Sequence, residues 1–214
     1  MPNGFGLLPG WLLGMIAGIV IFVAIYRKRR TNSIMISMPL LFDVVPCPLG
    51  FLLVASTSRG LCAVRLGDSA EELEAKLREE FPDFALVRDE AALRETTQTL
   101  LQHLDGQHRV LDLPLDVSGT DFQWRVWRAL QTIPWGETRS YTQIAQIIEQ
   151  PKAVRAVAGA CAANGLALVI PCHRVVRNDG SLSGFRWNPS RKAALQRCEK
   201  EIDGQETAQP LLFK

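Results

Sequence analysis

Hydrophobic and polar positions change register several times along this chain of 214 residues, and each change marks an element. Residues 4–26 carry no charge and are long enough to span a bilayer as one helix. Phe51–Ser56 and Leu61–Leu66 are short apolar stretches joined by Ser58-Arg59-Gly60, the pattern of a β-hairpin. Asp68–Phe81 reads as a helix with acids in its first turn, and Ala91–His103 as a second. Arg109–Val117 alternates in part and reads as a strand or a linker. Beyond residue 118, Phe122, Val126, Trp127 and Leu130 mark one face of a helix. Ser140 and Gln143 make a capping box that opens a helix over Tyr141–Glu149. Gln150-Pro151 breaks it, and Pro151 suits the first position of a next helix reaching about Ala163, with Asn164-Gly165 as its stop. Leu166–Ile170 suits a short buried strand or extended segment, and a last helix starts at Ser190.

These elements divide the chain into an apolar segment (1–34), an α/β unit (40–115), a helical unit with two short helices across a tight turn (118–203) and a tail (204–214). Charge follows the same division. Residues 31–120 hold seven basic against fourteen acidic side chains, whereas residues 121–200 hold twelve against five. A basic block beside an acidic one suggests that the second unit binds a polyanion. All four charges of residues 1–30 are the bases Arg27–Arg30, which would hold the downstream side of a membrane span in the cytoplasm. The apolar segment has two readings: a single-pass anchor, or a misassigned start with Met35 or Met38 as the true beginning. Gly10, Gly14 and Gly18 would let two such helices approach closely. Five scattered cysteines suit a reducing compartment better than a disulfide framework. His103 and His108 read as surface residues.

One cysteine stands apart. Cys172 follows the apolar run and Pro171, and is followed at once by His173 and Arg174. Neighbouring positive charge and hydrogen-bond donors lower a thiol pKa, and the thiolate is the nucleophile. The plainer alternative is a buried structural cysteine beside a chance histidine. Metal binding is disfavoured, because adjacent Cys and His do not match the usual ligand spacing.

Pro171-Cys172-His173-Arg174-Val175 resembles the signature of the methylated-DNA–protein-cysteine methyltransferases, the O6-alkylguanine-DNA alkyltransferases. Ser140-Tyr141, Pro151–Val157, Asn164 and Leu182–Trp187 fall in that family's order. The likeness spans about residues 40–203 and looks most like the C-terminal half of the bacterial adaptive-response methyltransferase, without its zinc-binding N-terminal half. It implies an α/β N-terminal domain and an α-helical C-terminal domain with a helix-turn-helix, winged-helix-like in form. It further implies DNA repair by irreversible, single-turnover transfer of the alkyl group of O6-alkylguanine, and of O4-alkylthymine, to Cys172 after base flipping. No cofactor is implied, since the lesion is the methyl donor, and no metal.

The resemblance also distributes roles. His173 acts through a water as general base toward Cys172, and Glu199 orients His173. Tyr141 donates a hydrogen bond to the flipped base, and Asn164 braces the turn before the nucleophile. Arg155 fills the gap left by the extruded base. Ala153, Ala156 and Gly159 let their helix enter the minor groove of double-stranded DNA with little sequence preference. Arg174 contacts phosphate or buttresses the loop. Val175, Ser183 and Gly184 line the pocket for the base. The repair region is expected to be a monomer, cytoplasmic and nucleoid-associated, tethered through residues 4–26 if that span is a true anchor. Two alternatives remain: a lesion-binding protein without transfer, and a helix-turn-helix regulator. Asn188-Pro189 departs from the family pattern at the start of the last helix.

Overall fold

The computed structural model describes residues 39–182 and 184–208, with side chains through residue 202. The expected membrane span at residues 4–26 and Ser183 lie outside the described residues. Among the described residues no helix is long and apolar enough to cross a membrane.

The expected hairpin belongs to a larger sheet. Strands β1 (Leu40–Cys47), β2 (Gly50–Thr57) and β3 (Gly60–Gly67) run antiparallel in sequence, and β4 (Leu86–Arg88) adds in parallel beside β1, giving the order β3-β2-β1-β4. Alternate residues of β2 face opposite ways, and both faces are covered. Leu53 and Ala55 pack with Leu73 and Leu77 of helix α1 (Ala70–Glu80). Leu52 and Val54 pack with Leu100 and Leu104 of helix α2 (Glu90–Leu104) and with Trp127 and Leu130 of the C-terminal unit. Ser69 and Asp89 cap the two helices by accepting from Glu72 and Ala92 backbone N–H groups.

Strands β1 and β4 were not marked by the sequence pattern. Asp43 and Pro46 interrupt the apolar alternation of β1, and Asp43 is tolerated inside because Arg88, from distant β4, reaches it at 3.3 Å. Arg109–Val117 is a linker rather than a strand, with a single bridge from Leu115 to Leu61. His103 is buried rather than on the surface: its ring lies edge-on to Trp135 at 4.8 Å, and its Nδ1 is bonded to the His108 carbonyl. His108 itself is exposed.

The C-terminal unit is helical. Helix α3 (Asp121–Gln131) opens with a Thr120/Gln123 capping box, and α4 (Tyr141–Ile147) with the expected Ser140/Gln143 box. The two-residue strands β5 (Arg139–Ser140) and β6 (Val175–Val176) pair in parallel. Helix α5 (Val154–Ala162) starts three residues later than expected, with Ala153 as N-cap. The cause lies in the preceding turn: Glu149 takes φ +59°, the Gln150 N–H bonds to Ala145, and the Ala153 N–H bonds to Gln150. Pro151 therefore sits in the turn, not in the helix. Helix α6 (Pro189–Ala208) does begin with proline at its first position.

The two units meet along β3. The Val64 N–H donates to the Gly165 carbonyl at 3.0 Å, and the Val64 carbonyl accepts from the Ala167 N–H at 2.8 Å. A sheet edge is thus spent on the turn that leads to Cys172. Trp127 closes the other side, fully buried with its indole N–H on the Ala160 carbonyl at 2.9 Å. Trp127→Ala should therefore cost about 3–5 kcal/mol by cavity formation and the lost hydrogen bond, read by urea denaturation. A cost under about 1 kcal/mol would show that α3 does not anchor α5.

Candidate active site

Leu166–Ile170 does not form the expected extended segment. Leu168 adopts φ +70°, and the N–H groups of Val169, Ile170 and Cys172 bond back to Ala167, Leu166 and Ile170. These tight turns bring Pro171 and a single 3-10 turn, Cys172–Arg174, into the interior. Asn164 holds them. Its fully buried amide donates to the Ile170 carbonyl at 2.9 Å and to Cys172 Sγ at 3.2 Å, and its Oδ1 accepts from the Leu166 N–H at 2.8 Å. An asparagine at the end of α5 therefore fixes both the turn and the sulfur.

Cys172 lies on a cavity of about 390 Å³, with Ala158, Cys161 and Ala162 of α5 on one side and Gly184, Phe185 and Arg186 on the other. The sequence suggested a thiol of lowered pKa. Burial instead pushes it up to about 11, against the Asn164 hydrogen bond and the charges of Lys192 and Arg186. The resting side chain is thus a thiol, and its proton must leave when the sulfur reacts.

A titratable group, His173, stands next in sequence. His173 is fully buried, with Nε2 bonded to Glu199 Oε1 at 2.8 Å, and Nδ1 has no partner among the described residues. Burial lowers the His173 pKa, as do the charges of Arg174 and Lys192, while Glu199 works against them. Burial also works to raise the Glu199 carboxyl, but the hydrogen bonds and charges of His173 and Arg174 outweigh it and hold it at about 2. At neutral pH the buried site thus pairs an ionised Glu199 with the Arg174 guanidinium and a neutral imidazole. Arg174 is 5% exposed and committed to Glu199 and the Ile133 carbonyl, so of its two expected roles the geometry suits the buttress and leaves no surface for phosphate.

Other expected residues divide between cavity and surface. Gly184 lines the cavity, and Ser183 lies outside the described residues. Val175 does not line it: its fully buried side chain belongs to the core beside the β5–β6 pairing. Tyr141 is half-buried at the start of α4. Arg155, Ala156 and Gly159 are exposed on α5, Ala153 is half-buried at its cap, and a Cβ built on Gly159 would meet nothing within 4 Å. Interior packing therefore explains Ala160, which is buried, but not Ala156 or Gly159.

Residues that carried no sequence signal complete the site. Trp135 donates its indole N–H to the Glu199 backbone carbonyl at 3.1 Å, the Gly136 N–H reaches Oε2, and the Arg174 guanidinium lies 5.5 Å from the Trp135 ring centre. Lys192 is fully buried and acts electrostatically on both Cys172 and Cys161.

Comparison with known proteins gives concordant matches for both units. Residues 40–117 match the family described as 6-O-methylguanine DNA methyltransferase, ribonuclease-like domain, and residues 121–201 its DNA binding domain. The bifunctional transcriptional activator/DNA repair enzyme Ada of Escherichia coli is 50% identical over 160 residues, which is 75% of this chain and 45% of that protein. The chain thus spans less than half the length of that relative. The inducible methylated-DNA–protein-cysteine methyltransferase of Bacillus subtilis is 39% identical over 71% of this chain and 86% of its own length. The crystal structure of Mycobacterium tuberculosis OGT in complex with DNA superposes with a TM-score of 0.65 at 35% identity, covering 75% of this chain and 93% of that one.

The buried titratable groups predict acid sensitivity. Burial takes His103 from 6.5 down to about 4, against its bond to the His108 carbonyl. Between those values the unfolded chain binds more protons, so stability is full above pH 6.5 and falls as the pH drops toward 4. The Glu199 contribution is present above pH 4.5 and is lost as the pH falls toward 2, so the two effects follow in sequence. Urea denaturation at a series of pH values should show this decline, and His103→Gln should reduce it between pH 6.5 and 4, leaving the part that buried His173 contributes. An unchanged slope in that variant would assign the decline to other groups.

Proposed function

The chain belongs to the methylated-DNA–protein-cysteine methyltransferase family, and on that premise we propose that it repairs DNA by moving the alkyl group of O6-alkylguanine, and of O4-alkylthymine, irreversibly onto Cys172. The observation that carries this reading is the buried Cys172 thiol on a cavity, hydrogen-bonded to Asn164 as its neighbour Cys161 is not, and followed in sequence by a buried histidine that is held by Glu199. A group of this kind attacks carbon without a metal or a redox partner.

The alkyl carbon is out of reach inside a duplex, so the nucleotide first leaves the stack, at a cost of a few kcal/mol. Helix α5 enters the minor groove, where Ala156 and Gly159 permit close approach and Arg155 fills the space left by the base. Helices α4 and α5 then act as a helix-turn-helix; their succession across the Glu149–Ala153 turn supports this. Tyr141 donates to the flipped base. His173 takes the thiol proton at Nδ1 through a water, while Glu199 stays ionised and keeps Nε2 protonated and the ring oriented. The sulfur forms its bond to the alkyl carbon as the bond to O6 breaks. The bonding pair stays with O6, steadied by a backbone N–H of Ser183-Gly184, and the guanine takes a proton at N1 from water, to which the His173 imidazolium returns the thiol proton. The thioether is stable, so each molecule acts once.

The repair region works as a monomer on cytoplasmic DNA. If residues 4–26 form an anchor, Arg27–Arg30 keep this region on the side where the DNA and the reducing conditions are.

Incubation with O6-methylguanine DNA should add one methyl group per molecule, mapped by mass spectrometry to the Cys172 peptide. Transfer to Cys161 or Cys198, or repeated turnover, would sink the reading. Arg155→Ala should slow repair of duplex DNA by a factor reflecting the few kcal/mol of unstacking, yet barely change reaction with free O6-benzylguanine. An equal loss on both substrates would place Arg155 in support of the fold instead.

A further inference from the structure

Adjacent residues of β3 reach both sides of the Cys172 cavity. The Val64 backbone bonds to Gly165 and Ala167, in the turn that leads to the cysteine. The Arg65 side chain, 5% exposed, runs to Glu80 Oε2 at the end of α1. Glu80 Oε1 in turn accepts from Arg186 Nη2 at 2.5 Å, and Arg186 Nη1 reaches the Asn164 carbonyl at 3.5 Å. Arg186 lies in the wall of the cavity together with Gly184 and Phe185.

The other ties of that wall lie at its C-terminal end, where the Asn188 N–H bonds to the Phe185 carbonyl and Arg191 Nη1 to the Trp187 carbonyl. Gly184–Trp187 belongs to no helix or strand, and Gly184 and Arg186 are exposed. Phe185 packs edge-on against buried Trp187 at 5.1 Å, which fixes the C-terminal end of the segment. Only Arg186 carries an ion pair to the N-terminal unit from this segment, among the described residues. The position of Glu80 is informative too. A carboxylate in the last turn of a helix faces the negative end of the helix dipole, which disfavours it there. Two arginines, one of them buried, offset that cost.

We propose that Glu80 is a positioning and specificity residue for the transfer, strapping Gly184–Trp187 over the Cys172 cavity through Arg186 and so limiting the size of alkyl group the cavity accepts. This rests on the methyltransferase reading of Cys172. Without the strap the wall withdraws from α5. A small methyl group then loses a well-placed wall, whereas a bulky alkyl group gains room.

Glu80→Gln alone leaves Arg65 buried without a counter-charge, which threatens the fold. The informative comparison is between Arg65→Leu, which keeps the Glu80–Arg186 pair, and Arg65→Leu/Glu80→Gln, which removes it without stranding a buried charge. Both are assayed beside the wild-type protein for transfer from O6-methylguanine and O6-benzylguanine in the same oligonucleotide, with melting temperatures recorded. The ratio of benzyl to methyl rate should be about fivefold higher in the double variant than in Arg65→Leu, the scale of a part-exposed ion pair. A general loss of stability would slow both substrates and leave that ratio alone. An equal ratio in the two variants, with wild-type transfer intact, overturns the strap. Absence of methyl transfer in the wild-type protein overturns the underlying reading instead.

Discussion

Everything at this site depends on one buried amide. Asn164 ends α5, and its side chain spends its hydrogen bonds on the Leu166 N–H, the Ile170 carbonyl and the Cys172 sulfur. A buried polar group left unpaired costs about 1–3 kcal/mol, so these partners must all be in place together. Their simultaneous satisfaction forces the turns at 166–170, including the left-handed Leu168. The sheet supplies the matching constraint through Val64, whose N–H and carbonyl hold the same turn from the other side. The cysteine is therefore fixed by two units at once, and the N-terminal unit, which offers no catalytic side chain, still determines where the sulfur sits.

The electrostatics follow from that burial. A thiol set in the interior loses solvation for its anion, and the nearby cations recover only part of it. The protein keeps the sulfur protonated and puts a neutral imidazole beside it. Neutrality of His173 depends on Arg174, which balances Glu199 so that the imidazole need not. Trp135 and Gly136 hold Glu199 from a loop, and His103 of α2 packs on the Trp135 ring, tying α2 to that residue. A thiol guarded in this way suits a protein that reacts once, because an exposed thiolate would be spent on other electrophiles before meeting its substrate.

What the sequence made legible was local. The Ser140/Gln143 box appears as read, because cap chemistry is encoded within four residues. The hairpin and both N-terminal helices appear within a few residues of their expected ends. Asn164 is bonded to Cys172, and Glu199 to His173, although Glu199 stands far along the chain and only the family resemblance selected it. The failures are long-range. Strand β1 carries a buried Asp43 whose partner, Arg88 of β4, lies forty-five residues away, which no local pattern announces. The 166–170 run is apolar like a strand, yet hydrogen bonds from Asn164 and Val64 bend it. His103 and Arg174 carry charge-capable side chains that suggest surface, and each is buried by partners from other elements. The expected low thiol pKa counted the neighbouring cations but not the desolvation.

The central claim is that Cys172 rests as a thiol and gives up its proton only in the reaction. Carbon-13 labelling of the cysteine Cβ positions, with Cys172 assigned by its loss in Cys172→Ser, allows its ionisation to be followed directly by NMR as the pH is raised. Free cysteine ionises near a pKa of about 8.5. The account predicts that the Cys172 signal keeps its thiol position well beyond that value, consistent with a pKa of about 11. A signal that moves to the thiolate position below neutral pH would contradict it, because the resting nucleophile would then need no proton acceptor at His173.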